Sequence, residues 1–181
     1  APPRVAGEEA DAADVAQDVE RDALLAQRLA TDGRRVLLVD GTQNMGNLHV
    51  LLGMQRTHRL EHLLADSVQP KDLLMPVSEQ LMLLPADSGD EGLYALAAVD
   101  RARLHHRLSA LYADFDAVII DAGPGLESVV RVATMGATRL LVVTAPEPAA
   151  LTDAYATIKI VHLQVSDLPI DIIVNRVIEP N

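Results

Sequence analysis

Cysteine and tryptophan are absent from this chain of 181 residues, and one phenylalanine and three tyrosines are its whole aromatic complement. Without cysteine there is neither a disulfide framework nor a thiolate metal site, which suits a cytoplasmic protein. With so few aromatics the core must be filled by Leu, Val, Ile, Ala and Met, and 49% hydrophobic content supplies enough of them for one substantial core. Basic charge is scarce as well. Lys and Arg number 15 against 26 Asp and Glu, a net charge of -11, which argues against general nucleic-acid binding because that affinity comes from cations on phosphates. Long apolar runs are missing too: none approaches the roughly 20 residues of a membrane-spanning helix, and the acidic start is the reverse of a signal peptide. The expectation is a soluble protein.

A further shortage is local. Lysine is missing from the segment that leads into the first helical pattern, and glycine is missing from it after Gly7; it instead holds Glu8, Glu9, Asp11, Asp14, Asp18, Glu20 and Asp22, with Arg21 its only basic residue after Arg4. Such a run cannot cradle phosphate; its charge repels it. What is present is a repeated motif. Val36-Leu-Leu-Val-Asp40 and Val118-Ile-Ile-Asp121, the latter followed by Ala-Gly-Pro-Gly125, each read as a buried strand with a carboxylate at its C-terminal end. A doubly wound parallel sheet gathers its chemistry at the carboxyl ends of its strands, where acids of a nucleotide hydrolase orient Mg²⁺ and the attacking water.

Short apolar runs alternate with helical patterns at the spacing of a parallel α/β sheet. Strands are expected at Arg35 to Asp40, Leu81 to Leu84, Ala117 to Asp121, Arg139 to Thr144 and Asp171 to Asn175. Helices are expected at Ala13 to Thr31, His58 to Asp66, Asp100 to Ala113, Leu126 to Met135 and Ala149 to Leu163. The fold class is α/β, a doubly wound, mostly parallel sheet flanked by helices. Residues 1–13 read as a flexible acidic segment and 14–181 as a single domain.

The string Val36-Leu-Leu-Val-Asp40-Gly-Thr-Gln-Asn-Met-Gly-Asn47-Leu-His-Val-Leu-Leu-Gly53 resembles the segment after the first helix in MinD/ParA-type ATPases. Phe115 to Gly125 looks like their Walker B strand, and Val174-Asn175-Arg176 is similar to their base-recognition turn. Val143-Thr-Ala-Pro-Glu147-Pro148 running on to Tyr155 and Lys159 closely resembles the flagellar branch, the FlhG/FleN/YlxH proteins that control flagellar number and placement. The resemblance implies a P-loop NTPase-like, MinD-like fold. By it, Asp40 matches the aspartate that orients the hydrolytic water, Asp121 the Walker B acid, Gly125 the switch glycine and Asn175 the adenine contact, with Arg176 beside it. Thr42 stands where the family has a second acid. Counting back from Gly33 without a gap, the family's lysine-bearing glycine loop falls on Ala12 to Glu20, where this chain has neither residue. No cofactor is then expected, and ATP with Mg²⁺ enters only if the loop exists in an altered form.

Plainer readings stand beside these. Acids at strand ends also cap the loops that follow, Asn175-Arg176 is also a strand exit, and Thr152-Asp153 suit N-terminal caps of their helix. Leu48, Val50, Leu51, Leu52 and Met54 read as core, and Arg101, Arg103, His105, His106 and Arg107 as a solvated helix face. His58 and His62 sit four apart without further ligands, so no metal is expected. Leu151, Ala154, Ile158 and Val161 are expected to face the sheet, with Asp153, Thr157 and Lys159 toward solvent. The leading expectation is a non-catalytic regulator working through Glu147, Asp153, Tyr155 and Lys159 on flagellar partners. By the resemblance these are an FlhF-type GTPase, a flagellar transcription regulator or a switch-complex protein. An active ATPase with an altered phosphate loop and a ParA-like cargo-positioning protein are the alternatives.

Overall fold

The computed structural model describes residues 12–41, 48–55, 58, 62–63, 68–85, 97–123, 125–134 and 136–177. They form two compact units, Ala1–Pro124 and Gly125–Asn181.

In the first unit, α1 (Ala12–Thr31) leads through the left-handed Gly33 into β1 (Val36–Asp40), and α2 (Leu48–Leu51) is one short turn. A 3₁₀ turn at Pro70–Leu73 precedes β2 (Met75–Pro76) and β3 (Leu81–Leu84), and α3 (Ala98–Tyr112) precedes β4 (Ala117–Asp121). The sheet order is β2-β3-β1-β4, with β3, β1 and β4 mutually parallel and only the two-residue edge strand β2 antiparallel. Alternation along the strands divides the core into two layers, because successive side chains of a strand point to opposite faces. Val36, Leu38, Leu81 and Leu83 pack with Ala26 and Ala30 of α1, while Leu37, Val39 and Leu84 pack with Leu108 and Leu111 of α3. Each fully buried leucine here contributes about 1.5–3 kcal/mol relative to an exposed one. The helices therefore cover both faces of a parallel sheet, as the apolar runs predict.

The second unit holds α4 (Leu126–Thr134), β5 (Leu140–Thr144), α5 (Pro148–Gln164) and β6 (Ile170–Val174). β5 and β6 pair in parallel from Leu140↔Ile170 to Thr144↔Val174. Ala133, Val161 and Leu168 form its buried cluster, with Val129, Val130 and Leu140 packed against them.

Several sequence expectations need correction. α1 begins at Ala12, one residue before its expected start, and residues 1–11 lie outside the described residues. The helix expected over His58 to Asp66 also lies outside them, except at His58, His62 and Leu63; the two histidine rings meet edge to face, 6.1 Å between centroids. Of the cluster read as core near Leu48, Leu48 itself is buried, but Val50 and Leu52 are exposed. Arg107 leaves the solvated face assigned to it: its guanidinium donates to the carbonyls of Leu63 and Val68 and ties that stretch to α3. Arg103, His105 and His106 are exposed as expected.

The starts of β1 and β4 are joined by an exposed clamp. The Arg35 backbone N–H donates to Asp116 Oδ2 at 2.8 Å and Nη2 to Oδ1 at 3.1 Å, while Asp116 N–H returns a bond to the Arg35 carbonyl at 2.9 Å. The Arg35 side-chain hydrogen bond, followed by its backbone N–H, holds the Asp116 carboxyl below its ordinary value. A depressed carboxyl pKa contributes stability that is fully present above the unfolded value of 3.8 and is lost as pH falls through the folded value. Asp116→Asn should therefore be slightly less stable than the parent at neutral pH. The gap in urea midpoint should close on acidification below the ordinary carboxylate range, and a gap that is constant with pH would contradict the clamp.

Candidate functional site

Asp40 and Asp121 end neighbouring parallel strands and are register partners, so the β1–β4 ladder itself sets the two acids side by side. Both are buried, at 5% and 7% relative exposure. A buried carboxylate needs hydrogen bonds in place of water. Asp40 Oδ2 accepts from the Leu48 N–H at 3.2 Å, where the chain enters α2, and Asp121 Oδ1 accepts from the Gly123 N–H at 2.8 Å. Asp40 thus ties the start of α2 to the end of β1 and Asp121 holds the turn after β4, which fits the plainer capping reading and leaves the pair standing where strand-end chemistry would occur. Thr42 lies outside the described residues.

Two neighbours escaped the sequence reading. Gly41 donates its N–H to the Asp121 carbonyl at 2.8 Å, and a Cβ built on it would stand 2.5 Å from that oxygen and 3.2 Å from Ile120 Cγ2. Only glycine permits this approach without a backbone shift; the signal in the sequence was a glycine directly after the strand acid. His49, assigned no role from the sequence, is buried at 8% exposure on α2, the residue after Leu48. Among the described residues no group of three or more His, Cys, Asp or Glu is arranged to hold a metal ion.

The segment Ala12 to Glu20 is helical backbone, continuous with the rest of α1. Beyond the first turn of such a helix each N–H is bonded to the carbonyl four residues back, whereas an anion nest needs successive N–H groups turned toward the ligand.

The remaining candidates belong to the second unit. Gly125, at φ +97°, precedes α4, and its backbone carbonyl accepts from Val129 N–H at 3.4 Å. Asn175 is exposed just past β6; its N–H extends the ladder to the Thr144 carbonyl at 2.7 Å and its Oδ1 accepts from the Arg176 N–H at 2.9 Å. Arg176 is in the left-handed region at φ 56°. That strand exit is tightly turned, with the Asn175 side chain oriented by the N–H of Arg176.

On α5, Glu147 is the N-cap residue without a side-chain cap bond, and Pro148 opens the helix. The capping role expected of Thr152 does not hold: its Oγ1 donates back to the Pro148 carbonyl at 2.8 Å, inside the helix. Asp153, Tyr155 and Lys159 are exposed, Tyr155 at 66%. They do not form one patch. At about 100° per residue, Tyr155 and Lys159 share an arc with Leu151, while Asp153 lies roughly 120° or more around the helix. Leu151, expected to face the sheet, is 46% exposed, whereas Val161 is fully buried and Ala154 and Ile158 are half-buried.

A parallel sheet covered on both faces, with acids at the carboxyl ends of adjacent strands, is the arrangement of P-loop NTPases. Comparison with known proteins agrees. The AAA domain family profile matches residues 21–170. The antiactivator FleN of Pseudomonas aeruginosa is 30% identical over 76% of this chain and 49% of its own length. The flagellum site-determining protein YlxH of Helicobacter pylori is 28% identical over 76% and 47%. The septum site-determining protein MinD of Pyrococcus horikoshii, solved in complex with Mg-ADP, superposes with a TM-score of 0.65 at 26% identity, over 88% of this chain and 65% of that one. The chain belongs to the MinD/ParA superfamily of P-loop ATPases and, within it, to the flagellar branch. It spans about half the length of FleN and YlxH.

Replacing Gly41 tests the ladder that holds the acids. Gly41→Ala should cost about 1–3 kcal/mol in urea unfolding, since the new methyl meets backbone rather than a side chain that can turn away. A variant as stable as the parent would show that β1 and β4 are not held at this separation.

Proposed function

We propose that this chain is a non-catalytic MinD/FlhG-like regulator that acts through protein contacts in the control of flagellar number, placement or biosynthesis. The observation that carries this reading is the Ala12 to Glu20 segment, helical and without glycine or lysine, at the position counted for the phosphate loop. The flagellar relatives support the process, and the acidic lead-in supports the loss of phosphate binding. Partners in this reading are an FlhF-type GTPase, a flagellar transcription regulator or a switch-complex protein. The chain works in the cytoplasm and is brought to the pole or membrane by them; no described helix is long and apolar enough to cross a membrane.

A second reading, an active ATPase with an altered phosphate loop, is favoured by one observation: Asp40 and Asp121 remain paired and buried at the strand ends. Calorimetry with MgATP and MgADP separates the two. The non-catalytic reading expects no binding in the low micromolar range and no turnover. Tight binding, or hydrolysis abolished by Asp40→Asn, which keeps an acceptor for the Leu48 N–H, would establish the ATPase instead.

Assembly gives an independent check. In the non-catalytic reading no lysine reaches across ATP to support dimerisation, so the mass from light scattering should be the same with and without MgATP. A doubling on adding nucleotide would refute this.

The partner surface is assigned to α5. Because Asp153 and Lys159 lie on different arcs, Asp153→Lys and Lys159→Glu should be made singly and together. The double variant should lose capture of the flagellar partner while unfolding within about 0.5 kcal/mol of the parent, as exposed substitutions usually do. The single variants report which arc carries the contact, and equal recovery from all three would remove α5 from the surface.

A further inference from the structure

We draw no further inference here: the strongest candidate, the outward arc of α5 on which Leu151, Tyr155 and Leu163 are exposed, belongs to the partner surface already proposed, and nothing in the structure shows what covers it.

Discussion

Every residue of β1 from Val36 to Asp40 is buried, because a strand with parallel neighbours on both edges and a helix over each face has no side open to water. Its odd and even side chains feed separate core layers, so a slip of one residue against β3 or β4 would exchange the two layers. Leu37 and Leu38 are fully buried on opposite faces, and neither helix could dock if that pattern moved. The same register fixes Asp40 opposite Asp121. Packing and the position of the acids are therefore one constraint.

This explains which parts of the molecule were legible in the amino-acid sequence. Central parallel strands read as nearly unbroken apolar runs, and Val36 to Asp40, Leu81 to Leu84 and Ala117 to Asp121 were plain for that reason. β2 and the 3₁₀ turn at Pro70–Leu73 were not: the strand has two residues, one of them Pro76, and exists as the antiparallel edge of a sheet built elsewhere in the chain. α5 was legible as a helix, and Ala154, Ile158 and Val161 turn inward as expected, but Leu151 does not. Apolar residues surround the helix, so periodicity could not place the edge of its buried face. Buried Val161 beside Leu168 and Ala133 decides it through contacts that the helix sequence alone does not contain.

The site divides in the same way. The acids were visible because the strand-then-aspartate motif occurs twice, and pairing of the two strands brings them together. Gly41 was not, since its need for a bare Cα arises only from the Asp121 carbonyl, eighty residues away in sequence, at 2.8 Å from its nitrogen. Arg107 misled for a related reason. A cation among Arg103, His105 and His106 looks solvated, yet a long side chain can carry its charged head onto carbonyls of another segment.

What holds the acid pair bears on what its presence means. Asp40 and Asp121 draw their amide donors from Leu48, the first residue of α2, and from Gly123, two residues past β4. Those contacts anchor the start of α2 and the turn after β4, so the ladder and its exits give the acids a structural task of their own. A bound phosphate is not required for that task, and two aspartates at strand ends are therefore no measure of hydrolysis by themselves. The same contacts set what removing one of them does. With alanine at position 40 the buried Leu48 N–H loses the oxygen it donates to, a loss of about 1–3 kcal/mol for an unsatisfied buried donor, and α2 loses its tie to β1. The scaffold role of Asp40 is independent of any hydrolysis, and Asp40→Asn, which keeps an acceptor oxygen in place, is the substitution that separates the two.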